Sequence, residues 1–269
     1  MLQWKHLGQK RVTMDIDIWI YPVILMVGLV AGIINTVSAG GSLLTLPMLI
    51  FLGLPSAEAN GTNRVAIVVQ TMIAVLAFRN KGQLETKVSA MVMLPAVIGS
   101  VLGAFAAVAI GDELFQLILA VTMVVTIIFI IWDPTKRVGA DHRLSMSRKL
   151  LGLFTFLAIG FYGGFIQVGA GFYIVVTALL VFQLSFIHAN SVKILVGGTY
   201  VFVSLIVFGI NGEVNWALGL LLAVGNACGA WLGSQIIMGS KTKLIKWILL
   251  VTVLIMAVRL VYDVVMIGR

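Results

Sequence analysis

The chain carries one pattern in both of its halves, a polar, glycine-rich segment that interrupts an apolar run. The segment reads GLVAGIINTVSAGGS at 28–42 and GFYGGFIQVGAGFY at 160–173. Further along, residues 82–104 align without gaps to residues 212–234. An internal repeat whose halves each contain an interrupted hydrophobic segment is typical of secondary transporters, which bind their substrates at such interruptions.

The composition indicates a protein of the lipid bilayer. Hydrophobic residues make up 61% of the chain and charged residues only 10%, whereas a soluble domain contains roughly a quarter charged residues. The net charge of +8 comes mostly from short basic clusters between apolar runs, so we expect no nucleic-acid partner. The single Cys228 excludes an internal disulfide, and three scattered histidines predict neither a metal site nor a cofactor.

Ten apolar runs, five in each half, divide the chain. Most approach the roughly 20 residues that are needed to cross about 30 Å of hydrocarbon. The second run of each half is short and directly follows the glycine break, which predicts a half-helix or a discontinuous helix. We therefore expect an all-α, polytopic membrane protein. The runs lie at about 18–37, 43–54, 60–78, 88–110, 114–132, 150–168, 172–187, 192–210, 214–238 and 244–266.

Five crossings in each half would make the second repeat inverted relative to the first. The loop charges agree, because 79–87 is basic and its mate 210–214 is not, whereas 110–113 is acidic and its mate 239–246 is basic. The positive-inside rule then places 79–87, 133–149 and 239–246 in the cytoplasm and both termini outside. The alternative is that the short runs are re-entrant, which gives four crossings in each half and parallel repeats and fits the loop charges less well.

The predicted organisation is a flexible leader at 1–14, a first transmembrane repeat at 15–132, a basic cytoplasmic linker at 133–149 and a second transmembrane repeat at 150–269. The basic N-terminus followed by an apolar run also resembles a cleaved signal peptide. The equivalent segment at 150–171 lies in the middle of the chain and must be retained, which favours retention of both. GxxxG spacings in both halves predict close packing of helices.

Two features predict a site for an anion near the bilayer centre. If the glycine breaks begin half-helices, their free N–H groups and positive dipole ends suit an anion; the alternative is a simple kink. Arg64 and Lys193 each follow an Ala-Asn pair at the start of a third run, and a basic residue within a membrane helix is either functional or snorkels to the interface. The predicted substrate-binding residues are Asn35, Ser38, Gly40, Gly41, Ser42, Asn60, Asn63, Arg64, Gln167, Gly169, Gly171, Tyr173, His188, Asn190 and Lys193.

The sequence favours a transporter over an enzyme. It contains no nucleophile elbow, no HExxH, no phosphate-binding loop for ATP and no paired intramembrane carboxylates. We expect secondary transport of a small anion such as a sulfonate, sulfite or a carboxylate. The alternatives are an anion channel or passive pore, and a membrane enzyme or assembly factor. The expected partners are the anionic substrate, the lipid bilayer and a coupling proton or other ion, and a homodimer is compatible with these features.

An ordered series of motifs in the first half resembles the sulfite exporter TauE/SafE family of membrane transporters. The motifs are NTVSAGGS at 35–42, LTLP at 44–47, LGLP at 52–55, ANGTNR at 59–64 and KGQ at 81–83. The resemblance implies export of sulfur-containing anions, among them sulfite, sulfoacetate and thiosulfate, across a bacterial inner membrane. The break departs from the family's fuller glycine run, since it reads Ser-Ala-Gly-Gly at 38–41.

Overall fold

A computed structural model of the chain describes residues 18–38, 40–132 and 145–236. These residues form nine α-helices and no strand, which confirms the all-helical prediction for this part of the chain. The leader at 1–14, most of the linker at 133–149 and the last predicted run at 244–266 lie outside the described residues. The helices are α1 (Ile20–Ser38), α2 (Ser42–Phe51), α3 (Ser56–Asn80), α4 (Thr86–Ala109), α5 (Asp112–Trp132), α6 (Met146–Phe165), α7 (Ala170–Leu180), α8 (Phe186–Ile210) and α9 (Trp216–Ile236).

Helix length separates membrane-crossing helices from short ones. Among the described residues, four segments are long and apolar enough to cross a membrane, namely α3, α4, α8 and most of α9. With 25 residues each, α3 and α8 span about 37 Å at 1.5 Å per residue. The two runs that follow the glycine breaks form α2 and α7, with 10 and 11 residues, or about 15 Å each. Neither short helix could cross the hydrocarbon layer alone.

Local chemistry explains where several helices begin. The side chains of Glu85, Ser145 and Ser185 accept backbone N–H groups in the first turns of α4, α6 and α8, which satisfies donors that a helix start leaves open. The start of α7 is different. Gly169 precedes it at φ +72°, a left-handed conformation that glycine adopts without strain.

Glycines allow helices from different halves to pack closely. A methyl group at Gly99 of α4 would overlap the carbonyl of Leu157 on α6, and one at Gly229 of α9 would overlap the carbonyl of Leu29 on α1. Small residues permit such approach in lipid, where no hydrophobic drive joins helices. Gly103 follows Gly99 by one turn and meets α6 one turn further on, so that α4 and α6 run in the same direction.

The same reasoning gives the directions of the other helices. Gly28 of α1 faces Leu222 and Gly225 of α9, and Gly233 of α9 faces the later residue Thr36, so α1 and α9 are parallel. α3 and α8 run in opposite directions, because Arg64 bonds to Ser204 whereas Thr71, further along α3, meets Gly198, which comes earlier in α8. The α3–α8 contact at Thr71 falls near the middle of both helices.

Three hydrogen bonds from backbone N–H groups to side-chain oxygens connect the beginnings of helices. Ser56 N of α3 donates to Asp112 Oδ1 of α5 at 2.7 Å, and Asn215 N, just before α9, donates to Thr62 Oγ1 of α3 at 2.8 Å. Glu85 N, just before α4, donates to Ser191 Oγ of α8 at 2.7 Å. The first two bonds place the starts of α3, α5 and α9 at one end of the molecule. The third places the starts of α4 and α8 at the other end.

The two ends differ in charge. One end carries Glu58, Asp112, Glu113 and Glu213. The other carries Glu85 and most of the described basic residues, which are Arg79, Lys81, Lys87, Arg148 and Lys149. Glu213 lies in the connection between α8 and α9. Its partial burial raises its pKa above the ordinary range, and the nearby carboxylates of Glu58 and Asp112 raise it further.

Candidate functional site

A small polar cavity lies where α3 and α8 cross. Its volume is about 50 Å³, which is room for a few water molecules at roughly 10–15 Å³ each. Of the predicted site residues, Asn35, Ser42, Gln167, Gly171 and Lys193 line it. The other lining residues are Thr36, Ile67, Gln70, Thr71, Ala74, Ile174, Ile194, Gly197, Gly198 and Tyr200.

Both short helices reach the cavity with their first residues. Ser42 is the first residue of α2 and Gly171 is the second residue of α7. The first turn of a helix presents backbone N–H groups without helical acceptors and the positive end of the helix dipole. The glycine breaks therefore bring two such helix starts, one from each half of the chain, to the same small cavity.

Lys193 brings a positive charge to the cavity. Its side chain is 8% exposed, and Nζ donates to the carbonyls of Asn35 at 3.1 Å and Thr36 at 3.4 Å in the last turn of α1. A cation at a helix C-terminus interacts favourably with the helix dipole. An ammonium group has three donors, so these two bonds leave one unused. No Asp or Glu stands among the described lining residues, so the charge has no carboxylate partner in the cavity.

Two residues that line the cavity carry a buried polar atom without a hydrogen bond in the described part of the structure, Thr36 at Oγ1 and Gln167 at Oε1. The hydroxyl of Tyr200 lies beside Gly163 and the side chain of Gln167. Buried polar atoms in proteins nearly always have partners, and a bound molecule or ordered water supplies one where the protein does not. Gln167 also has φ +67°, an uncommon conformation for a residue with a side chain, and such strain clusters at functional sites.

An amide network fixes one wall of the cavity. Asn35 Nδ2 of α1 and Asn226 Nδ2 of α9 both donate to Gln70 Oε1 of α3, at 3.1 Å and 3.3 Å. Gln70 therefore joins three helices and holds the side chain of Asn35 beside Lys193. These bonds give the wall a defined geometry before any ligand arrives.

Arg64, the equivalent of Lys193 in the first half, does not line the cavity. It is fully buried, and its guanidinium donates to the carbonyls of Gly163 at 3.1 Å and Gly164 at 2.6 Å. Both carbonyls belong to the last turn of α6, so Arg64 stands at the C-terminus of α6 as Lys193 stands at that of α1. Ser204 Oγ, at 2.6 Å, and Asn60 Oδ1, at 3.3 Å, accept its other bonds.

The other predicted residues are engaged elsewhere. Asn60 Nδ2 donates to Phe165 O, Asn190 Nδ2 to Phe186 O, and Asn63 Oδ1 accepts from Thr45 Oγ1. His188 is exposed in the first turn of α8 beside Ser185. The hydroxyl of Tyr173 lies 3.3 Å from Thr126 Oγ1, and Gly169 faces the same threonine. Gly40 and Gly41 accept the first amide bonds of α2 through their carbonyls. The side chain of Ser38 lies outside the described residues.

Sequence reasoning missed Thr36, Tyr200 and Asn226. Helical spacing offers a signal for one of them, because Lys193, Gly197 and Tyr200 stand at i, i+4 and i+7 on one face of α8. Thr36 lies within the first glycine break and follows the predicted Asn35 directly. No comparable signal points to Asn226, which reaches the site from a helix that the sequence marks only as a small-residue packing helix.

Comparison with known proteins places the chain in a family. The profile of the sulfite exporter TauE/SafE family matches residues 24–260. The chain belongs to this family. The resemblance predicted from the sequence is thereby confirmed, and curated relatives of this TauE/SafE member are described as probable membrane transporter proteins.

The relatives cover nearly the whole chain. A probable membrane transporter protein of Haemophilus influenzae is 26% identical over 250 residues, which are 93% of this chain and 98% of that protein. Probable membrane transporter protein YfcA of Escherichia coli K12 is 26% identical over 90% of this chain and 89% of its own length. No solved structure matches the chain. Together with the four long apolar helices, these relatives identify a multi-pass membrane protein of the transporter class.

Proposed function

We propose that the protein is a secondary transporter of the bacterial inner membrane that exports a small anion, such as sulfite, sulfoacetate or another sulfonate. The anion binds in the cavity beside Lys193. The observation that carries this proposal is the buried ammonium of Lys193, which faces a polar cavity without a carboxylate partner among the described residues. The hydroxyls of Thr36 and Tyr200 can donate to the anion, and the starts of α2 and α7 add positive potential.

The proposal includes two inverted repeats, at 15–132 and 150–269, that enclose the cavity. Helix directions support this, because the equivalent helices α3 and α8 are antiparallel. Residues of both halves line the cavity, among them Gln70 of the first and Lys193 of the second. In transporters of this construction, one repeat moves against the other around a fixed site and exposes it to each side in turn.

The two basic residues support the same symmetry. Arg64 of α3 binds the C-terminus of α6, and Lys193 of α8 binds the C-terminus of α1. Each half therefore supplies a cation to the first helix of the other half. The charge difference between the two ends of the molecule supports an orientation with the basic end in the cytoplasm.

The test is substitution of Lys193 in proteoliposomes that take up sulfite or sulfoacetate. Lys193→Gln removes the charge, and Lys193→Arg retains it. A hydrogen bond to a charged group contributes about 1.5–3 kcal/mol, so we expect Lys193→Gln to weaken half-saturation roughly 10- to 100-fold. Lys149→Gln is the matched control, since it makes the same charge change at an exposed position.

Two outcomes would contradict the proposal. If a folded Lys193→Gln variant shows saturable uptake that is unchanged from the wild type, Lys193 does not bind the anion. Flux that rises linearly with concentration, and that anion on the opposite side does not accelerate, would identify a passive pore instead of a carrier.

A further inference from the structure

The described helices form two bundles, and neither bundle coincides with one half of the chain. The first bundle contains α1, α2, α3 and α9, and the second contains α4, α6, α7 and α8. Each bundle therefore combines helices of both halves. α1 packs most extensively against α9, and α4 against α6. Within the described part of the chain, the only extensive packing between the two bundles is the crossing of α3 and α8.

The buried apolar side chains divide in nearly the same way. One core is built mainly from α1, α2, α3 and α9, and a second core mainly from α4, α6, α7 and α8. The exceptions are Ile67 of α3, the ends of α4 and α8, and the connection between α6 and α7, which pack into the other core. α5 borders both bundles, because Phe115 lies in the first core and Thr126 meets Tyr173 of α7. A close-packed core resists deformation, so each bundle is suited to move as one body.

Hydrogen bonds tie helices of different halves together within each bundle. Asn226 of α9 donates to Gln70 of α3 in the first bundle, and the N–H of Glu85, just before α4, donates to Ser191 of α8 in the second. Bonds across the boundary come from residues beside the α3–α8 crossing. Arg64 of the first bundle binds the last turn of α6, and Lys193 of the second binds the last turn of α1.

The chain passes between the bundles through connections that contain an unpacked glycine. Gly82, between α3 and α4, and Gly212, between α8 and α9, have φ of +65° and +78°, and nothing lies within 4 Å of a Cβ placed at either. Gly41 and Gly169 stand in connections that stay within a bundle, and a Cβ at either would overlap neighbouring atoms. Hinges are a few residues at the ends of elements that absorb backbone rotation. Gly82 and Gly212 have the room to do so.

We propose that the bodies that move during transport are these two mixed bundles and not the two halves of the sequence. The inference rests on the proposed function, since the cavity lies where the bundles meet, with Gln70 on one side and Lys193 on the other. The contact of Thr71 with Gly198, near the middle of α3 and α8, is the pivot. α1 then moves together with α9, and α4 together with α6.

The experiment measures two distances at one end of the molecule. Tyr21 at the start of α1, Trp216 at the start of α9 and Ala109 at the end of α4 are exposed there. Tyr21→Cys is combined either with Trp216→Cys, in the same bundle but the other half, or with Ala109→Cys, in the same half but the other bundle. Both pairs are made in a Cys228→Ser background and carry thioether-linked nitroxides. Electron paramagnetic resonance in lipid nanodiscs gives each distance with and without sulfoacetate.

Sulfoacetate should shift the 21–109 distance by more than about 2 Å, the scale of a hinge rearrangement, and leave the 21–216 distance unchanged. Both pairs share the label at Tyr21, so a difference between them does not come from that label. Each labelled variant is first shown to take up sulfoacetate. With Lys193→Gln added, the shift should need a higher sulfoacetate concentration, because the proposed anion site has lost its charge.

Three outcomes would overturn the inference while the proposed function stands. They are a shift of the 21–216 distance with a constant 21–109 distance, equal shifts of both, and no shift of either in variants that transport sulfoacetate. The first of these would identify the halves as the moving bodies. If the unlabelled wild type takes up neither sulfite nor sulfoacetate, the proposed function fails and the inference fails with it.

Discussion

The two buried cations hold helix ends in different ways. The planar guanidinium of Arg64 donates hydrogen bonds to four acceptors, and its central carbon lies 4.7 Å from the centre of the Phe208 ring. Lys193 binds two carbonyls and faces open space. A guanidinium suits fixed, planar contacts, whereas an ammonium is a compact charge on a flexible stem. The difference supports an anchoring role for Arg64 and the proposed ligand-binding role for Lys193.

Substitution Arg64→Gln should therefore destabilise the protein. The shorter side chain leaves the carbonyls of Gly163 and Gly164 and the hydroxyl of Ser204 without their donor, and each unsatisfied buried group costs about 1–3 kcal/mol. We expect thermal unfolding in detergent, followed by size-exclusion chromatography, to shift down by several degrees. Exposed Arg79→Gln is the control. Normal stability with lost anion binding would instead make Arg64 a ligand, as the sequence predicted.

The raised pKa of Glu213 predicts a pH-dependent stability. Because the folded protein binds this proton more tightly than the unfolded chain does, stability is greatest below the ordinary value of about 4.5 and declines as pH rises through the folded-state pKa. In Glu213→Gln this decline should be smaller when the unfolding midpoint is measured from pH 4 to pH 8. Glu113→Gln, on the exposed start of α5, should keep it. Equal pH profiles for both variants would refute the assignment.

At the scale of helices, contact between α4 and α6 depends on the absence of side chains. Gly99→Ala would push a methyl group into the carbonyl of Leu157, which is part of a helix backbone and has no room to yield. We expect a lower yield of folded protein and a lower unfolding midpoint. Gly111→Ala, where nothing lies within 4 Å, should behave as the wild type. A stable, monodisperse Gly99→Ala variant would show that α4 and α6 can separate without loss.

The sequence was sufficient to predict where helices lie along the chain, but not how each helix is rotated about its own axis. The short run at 43–54 and the long run at 60–78 appear as α2 and α3 because apolar length and glycine breaks are local properties. Arg64 follows Asn60 by four residues, whereas Lys193 follows Asn190 by three. One residue turns a side chain by about 100° around a helix. The spacing is visible in the sequence, but the residues that face each cation are not, so the sequence could not show that Lys193 borders the cavity and Arg64 does not.

At the scale of the whole molecule, the described residues form a basic end and an acidic end, and this predicts the orientation in the membrane. Labelling of single cysteines with a membrane-impermeant maleimide tests it, in a background with the exposed Cys228 replaced by serine. Glu113→Cys should react in intact cells, and Lys87→Cys only after permeabilisation, because basic ends face the cytoplasm. The reverse labelling pattern would indicate the opposite orientation in the membrane. Labelling of both cysteines in intact cells would indicate that the protein inserts in both orientations.

The hydrogen bonds of Lys193 to the last turn of α1 have a consequence for the protein when no anion is bound. An anion bound at the proposed site would compete with the carbonyls of Asn35 and Thr36 for the charge of Lys193. Without an anion, the hydrogen bonds of Lys193 would hold α1 against α8, and a bound anion would weaken them. The two helices would then move only when an anion is bound. A carrier that does not change conformation when empty does not dissipate the ion gradient that drives transport.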